Sequence, residues 1–341
     1  MKYYLICLAV SFSVSFVLTF AVRRIALRFG IMDVPHTSIK THSSPTPYLG
    51  GVSMFAGFWI SIMVIRYITD FPTGTLRSLR GILFGSSVLF ALGLIDDIKH
   101  KGLGPGIKFA IQAAAGILLY VYGISLKFIE PEWFAALISL VWIVGVTNSL
   151  NIIDIMDGLG SSVALIAALG FFFIGIPLEE KIYVNFASIA LAGVCLGFLP
   201  YNLSGRYKIF MGDTGSLFLG FMLASVSMGT SYTHVSHLGV FAPIIILAIP
   251  IYETLLVIYF RWKRGILPFL GSKDHYALRL EKAGFSRRSI LIMTCLAGLF
   301  LAFCAFVITV ANLYFAFGVI LLIAVCAVLL GYELSRIEVD G

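Results

Sequence analysis

Trp133–Gly158 reads WFAALISLVWIVGVTNSLNIIDIMDG, an apolar run that ends in Asn148, Asn151, Asp154 and Asp157 at three-residue intervals. Three-residue spacing keeps side chains on one slowly winding ridge of a helix. Two carboxylates and two amides are costly at the end of a membrane helix unless they serve a site. Two more apolar runs are bounded by acid, at Asp96-Asp97 and at Asp213. The pattern predicts a divalent cation and an anionic substrate at one membrane face.

The rest of the chain supports a membrane reading. Of its 341 residues 60% are hydrophobic and only 12% are charged, and the mean hydropathy is +1.00. Soluble domains average about 25% charged residues. The expected fold class is an all-α integral membrane protein, a single polytopic domain over 1–341. Eleven spans of roughly 20 apolar residues are expected, at about 3–22, 49–68, 78–95, 106–124, 133–150, 161–177, 183–200, 214–231, 239–260, 289–311 and 313–332. Arg23-Arg24 follow the first run with no small-residue cleavage site, so that run is expected to be retained. With the N-terminus outside, eighteen of the 24 Lys and Arg residues fall on inner segments and the C-terminus is cytoplasmic. The net charge of +7 then reflects topology and contacts with anionic lipid or phosphate, and no nucleic-acid partner is expected. Cys7, Cys195, Cys295, Cys304 and Cys326 lie in apolar stretches without a C-x-x-C, which argues against zinc and disulfides.

Each remaining motif permits both a chemical and an ordinary reading. One of Asp96 and Asp97 could hold a cation or position a nucleophile while the other anchors a lysine; a solvated helix end is the alternative. Lys99, Lys101 and Lys108 follow, and a lysine is a compact point charge suited to phosphate. Asp213 stands between Gly212 and Gly215 in Phe210–Ser216 (FMGDTGS), at the expected start of a helix. A carboxylate there suits Mg²⁺, which takes few protein oxygens plus substrate phosphates; simple N-capping is the alternative. His42 lies in a turn rich in Pro and Gly, and His275 lies in the most basic loop. Glu253 is the one carboxylate inside an apolar helix; its expected partner is a basic group from the inner face, Arg261 if the helix bends or a different neighbour if it does not, and its role is either structural or catalytic.

Taken together, these motifs resemble the polyprenyl-phosphate N-acetylhexosamine-1-phosphate transferases, membrane enzymes that begin bacterial envelope glycans. The family's Pro-x-x-Gly-Gly turn is Pro47–Gly51, preceded by a loop holding Lys40, His42 and Thr46. Its Asp-Asp pair is Asp96-Asp97, and the lysine and glutamine of its next helix are Lys108 and Gln112. Asn148, Asn151, Asp154 and Asp157-Gly158 form the next motif, followed by Asn202 and Phe210–Ser216. Six motifs in order are specific where any one is weak.

The resemblance implies that undecaprenyl phosphate attacks the β-phosphate of a UDP-N-acetylhexosamine, most simply UDP-GlcNAc, releasing UMP. It implies Mg²⁺, or Mn²⁺ in its place, on Asp213 and Asp96. It implies catalytic roles for Asp96, Asp97, Lys108, Asp213 and His275. Substrate contacts are implied for Lys40, His42, Thr46, Asn151, Asp154, Asp157, Asn202, Phe210 (on uracil) and Arg279. Two departures stand out. Ile155 replaces a glycine of the family's Asp-Gly-x-Asp-Gly, and the histidine-rich loop is reduced to His275, with Arg279 four residues on. The loss of the multi-histidine loop points away from peptidoglycan lipid synthesis and toward O-antigen, teichoic-acid-like or capsular glycans. The partners implied are the UDP-sugar, the lipid phosphate and the bilayer of the bacterial inner membrane, with the site on its cytoplasmic face; this much apolar surface also permits a homodimer. The competing classes are a transporter or lipid flippase, which would need a midplane site and would release no UMP, and a non-catalytic relative that binds lipid phosphate.

Overall fold

Apolar residues dominate every long segment, so backbone polar groups must be satisfied within the segment, and helices result. The computed structural model describes the chain except for residues 36–43, 71–72, 100–101, 177–181, 230–231, 233–236, 266, 268–271, 338 and 340–341. The helices are α1 (Lys2–Phe29), α2 (Gly50–Ile68), α3 (Thr73–Ile98), α4 (Pro105–Val121), α5 (Glu132–Ile153), α6 (Leu159–Gly175) and α7 (Ile182–Asn202). They continue as α8 (Gly212–Gly229), α9 (Ala242–Ile246), α10 (Ala248–Lys263), α11 (Tyr276–Lys282), α12 (Arg287–Val310) and α13 (Leu313–Ser335). A two-residue antiparallel ribbon pairs β1 (Met32–Asp33) with β2 (Thr46–Pro47).

The expectation of eleven spans is corrected. Among the described residues seven helices are long and apolar enough to cross a membrane, namely α1, α2, α3, α5, α7, α12 and α13. An eighth is reached if the segment His237–Ile246 and α10, bent by 69° at their junction, count together. The apolar stretch at 239–260 contains Pro243 and Pro250, and its helix breaks between them at Leu247. The helices α4 and α6 have 17 residues each, a rise of about 26 Å, short of a core of about 30 Å. α8 is longer by one residue but opens with the polar stretch Gly212–Ser216.

α8 is the axis of the molecule. Every residue from Thr214 to Gly229 is buried, with α2, α3, α5, α6 and α7 packed around it. Such close crossing needs small residues, because lipid gives helices little hydrophobic reason to associate. A Cβ on Gly51 of α2 would stand 2.1 Å from the Gly215 nitrogen, and one on Gly93 of α3 would stand 2.4 Å from the Asp213 carbonyl oxygen. Both contacts fall at the first turn of α8, so α2 and α3 fix where Asp213 begins. Large apolar side chains such as Val17, Ile117, Val141, Phe303 and Val328 are exposed around the outside, as a lipid-facing surface requires.

Candidate active site

The helix ends bring most of the expected residues to one cavity of about 570 Å³, within the range typical of small-molecule sites. Asp96, Asp97, Asn151, Asp154, Asp157, Asn202, Phe210, Asp213 and His275 all line it. Lys108 reaches it through its partners. Thr46 does not line it: the residue is buried in β2 and its hydroxyl donates to the Ser44 carbonyl at 3.1 Å. Lys40 and His42 lie outside the described residues.

The centre of the site is a chain of charged hydrogen bonds. Lys108 Nζ donates to Asp96 Oδ2 at 2.8 Å and to Asp213 Oδ2 at 2.6 Å. Asn151 Nδ2 donates to Asp213 Oδ1 at 2.9 Å and to Ser216 Oγ at 2.8 Å. Asp96 Oδ1 also accepts from the Leu103 N–H, so the loop after α3 closes on it. Of the adjacent acids it is therefore Asp96 that anchors the lysine.

Asp97 does something else. Its carboxylate accepts from the N–H groups of Asp213 and Thr214, both at 2.9 Å, and from the Thr214 hydroxyl at 2.5 Å. The first turn of a helix leaves such donors unpaired, so Asp97 caps α8 from another helix. This frees the Asp213 side chain for the cavity instead of the cap. Gly212 (φ +70°) is required here: a Cβ would lie 2.3 Å from Asp97 Oδ2.

The helical ridge through Asp157 is also corrected. α5 ends at Ile153, Asp154 is its C-cap, and Gly158 (φ +76°) turns the chain into α6. Only Asn148 and Asn151 are helical. Asn148 faces away from the cavity and pairs its amide with that of buried Gln112, at 2.5 and 3.3 Å. Asp157 pairs with Lys208 Nζ at 2.7 Å, and that ammonium also lies 5.1 Å from the centre of the Phe210 ring. Asn202 holds this turn: its Oδ1 accepts from the Gly158 N–H at 2.6 Å and its Nδ2 donates to the Ile209 carbonyl at 2.9 Å. Its side chain is thus spent on backbone. Asp154 keeps partial access to the cavity. Partial removal from water, and then the charges of Asp213, Asp157 and Asp97, push its carboxyl up to about 7.

Arg279 departs most from expectation. It is buried, with its guanidinium stacked 3.6 Å from the Phe260 ring centre. It donates to Asp274 Oδ1 at 3.0 Å, to the Asp274 carbonyl, to the Leu334 carbonyl at 3.1 Å and to the Ile337 carbonyl. A guanidinium engaged on this many sides is a structural clasp, and Arg279 is absent from the cavity lining. Arg287, eight residues on, lines the cavity instead, with Nε donating to Glu281 at 2.8 Å. Asp33, Lys208 and Ser272 are further lining residues outside the quoted motifs, and Tyr48 and Ser216 line the cavity from within two of those motifs. Of these, Lys208 carried a signal: a lysine two residues before Phe210–Ser216.

Among the described residues no group of three or more His, Cys, Asp or Glu side chains is set to hold a metal. Two carboxylates, Asp96 and Asp213, nevertheless converge on one cation, the Lys108 ammonium. That donor set suits a hard ion completing its shell with substrate oxygens.

Six carboxylates, two amides and a few fixed cations meet at the helix ends, so the cavity is acidic overall and phosphates could enter it only with added positive charge. Residues 79–231 match the family described as glycosyl transferase family 4. The chain is 30% identical over 310 residues to the decaprenyl-phosphate N-acetylglucosaminephosphotransferase of Mycolicibacterium smegmatis, covering 82% of this chain and 75% of that one. It is 29% identical to the probable undecaprenyl-phosphate N-acetylglucosaminyl 1-phosphate transferase of Bacillus subtilis, covering 91% and 86%. It is 28% identical to the undecaprenyl-phosphate alpha-N-acetylglucosaminyl 1-phosphate transferase of Escherichia coli K12, covering 83% and 78%. The chain belongs to glycosyl transferase family 4, the polyprenyl-phosphate N-acetylhexosamine-1-phosphate transferases. Its activity is accordingly of the phosphotransferase type.

Proposed function

We propose that the protein transfers N-acetylhexosamine 1-phosphate, most simply GlcNAc 1-phosphate, from its UDP-sugar to undecaprenyl phosphate at the cytoplasmic face of the bacterial inner membrane. The observation that carries this reading is the Asp96–Lys108–Asp213–Asn151 chain at the start of α8. A lipid-phosphate oxygen attacks the β-phosphorus of the donor. The bond from that phosphorus to the oxygen bridging to UMP breaks, and UMP leaves with its electron pair. Phosphoryl transfer asks the protein mainly for positioning and charge neutralisation. Lys108 supplies a point charge for phosphate and bridges Asp96 and Asp213, screening their mutual repulsion. Asp96 orients the lipid phosphate, which at neutral pH is largely ionised. Asp154, Asp157, Lys208 and Phe210 receive the nucleotide end, on the turn that Asn202 holds. Asp97 acts indirectly, by fixing the first turn of α8. Asp96 and Asp213 would hold Mg²⁺ or Mn²⁺, which when bound neutralises pyrophosphate charge.

The test is UMP release by purified, detergent-solubilised protein with Mg²⁺, undecaprenyl phosphate and a panel of UDP-N-acetylhexosamines. Lipid-dependent release with one donor is expected and identifies that donor. Folded protein that releases no UMP with any donor would sink the reading.

A further inference from the structure

Glu253 is fully buried in α10, one and a half turns beyond the break at Leu247. Its carboxylate is not spent on packing. Oε1 lies 2.7 Å from His275 Nδ1, and Oε2 accepts from the Tyr276 N–H at 3.1 Å. One side chain thus grips two consecutive residues at the start of α11. Burying a carboxylate is expensive, and capping α11 does not require it: a Ser or Asn at position 275 would cap this helix from within. His275 makes no such cap. Instead it sits extended before the helix (φ −65°, ψ 139°) and lines the cavity beside Ser272, Leu278 and Arg287. The neighbouring cations have their own acceptors: Arg261 Nε donates to Ser272 Oγ at 2.9 Å, and Arg264 and Arg279 both bind Asp274.

We propose that Glu253 is a positioning residue for His275, holding the imidazole by Nδ1–H so that Nε2 is the ring nitrogen presented to the phosphates or sugar of the bound donor. This rests on the transferase reading and on His275 touching substrate. The chemistry is that of a histidine oriented by a carboxylate through its far nitrogen, which sets both the tautomer and the ring plane. An ionised carboxylate only accepts, so Nδ1 carries a hydrogen toward Glu253, and Nε2 is the nitrogen turned to the ligand, accepting from a sugar hydroxyl as neutral imidazole or donating to a phosphate oxygen as imidazolium. This loop has one histidine, and a fully buried carboxylate aims it.

The experiment is a double-variant cycle on the full-length enzyme in detergent, using whichever UDP-N-acetylhexosamine the wild type turns over. The variants are His275→Asn, Glu253→Ala, Glu253→Gln and the two His275→Asn doubles, each with a thermal melt. His275→Asn is expected to lower kcat by about 10²-fold or more. Glu253→Ala is expected to lower kcat by roughly 10–100-fold with KM within about twofold. Glu253→Gln, whose carbonyl still accepts from Nδ1–H, should recover part of that loss. In the His275→Asn background neither Glu253 substitution should cost more than about twofold further. Equal costs of Glu253→Gln with and without His275, or a fully active Glu253→Ala, would overturn the assignment. If Glu253→Ala does not fold, the isosteric Gln variant decides. A fully active His275→Asn would remove His275, and Glu253 with it, from the mechanism while leaving the transferase reading standing. A wild type inactive with every donor would overturn both.

Discussion

Asp213 and Asp96 illustrate how much of this enzyme is decided by single carboxylates. Replacing either by Asn keeps the shape but removes half the charge that Lys108 bridges. The expected outcome is a loss of turnover of roughly 10²–10³-fold in protein whose melt is intact. Asp154 answers to pH. Its carboxyl is raised from the ordinary carboxylate range to about 7, so the fold favours the protonated form. Its contribution to stability is present below the ordinary range and lost as pH rises through about 7. The ligand-free protein should therefore melt lower at about pH 8 than at about pH 5. Asp154→Asn should melt a few degrees above wild type at the higher pH and lose that advantage at the lower one. Ile155 lines the cavity at the position where the family motif led to an expectation of glycine. Ile155→Gly should change the KM for the UDP-sugar severalfold, and an unchanged KM would place that side chain outside the donor's reach. Identities of this kind were legible beforehand because spacing and residue type carry them. Pairings were not. Glu253 hydrogen-bonds His275, 22 residues away, while Arg261 feels its charge from nearby, and Arg279 turns away from the site toward carbonyls 55 and 58 residues on. A one-dimensional pattern says that a buried charge needs a partner, never which one.

At the scale of elements, the first turn of α8 is the part under strictest control. Asp97 caps it, Gly51 and Gly93 let α2 and α3 approach it, and Asn151 reaches it from α5. Gly51→Ala would drive a methyl group into helix backbone, which has no rotamer to yield. Overpacking of this kind costs about 1–3 kcal/mol, and a melt lowered by several degrees should accompany a fall in kcat, because Asp213 moves with the backbone. Unchanged melt and kcat would mean that α2 and α8 can separate freely. The same scale shows why the count of spans differed from expectation. Hydropathy reports apolar content, but α4 and α6 are too short by length and α8 is diluted by the very residues that make the site. The polar ridge broke for a related reason. Asn202, 44 residues beyond Gly158, pulls the turn into shape by accepting its N–H, and no helical periodicity can register such a distant demand.

Over the whole molecule, the site is assembled from α3, α4, α5, α7, α8, α11 and α12, so nearly the full length of the chain contributes to it. The most distant contribution is indirect. Leu334 and Ile337 offer their carbonyls to Arg279, which holds Asp274 beside His275. Ending the chain after Glu333 should leave helical circular dichroism almost unchanged yet reduce kcat about tenfold or more, and Arg279→Lys should not rescue the geometry, since an ammonium lacks the planar fork that serves several acceptors. Wild-type kcat in the shortened chain would show that the clasp is dispensable. If the clasp is needed, timing follows from it. The loop around His275 leaves the ribosome well before residues 334–337 do, so the nascent chain enters the membrane with its helices placed and the clasp on Asp274 still open. Catalytic competence then arrives only when the final turn of α13 docks, and an interrupted translation product would occupy the bilayer without consuming nucleotide sugar.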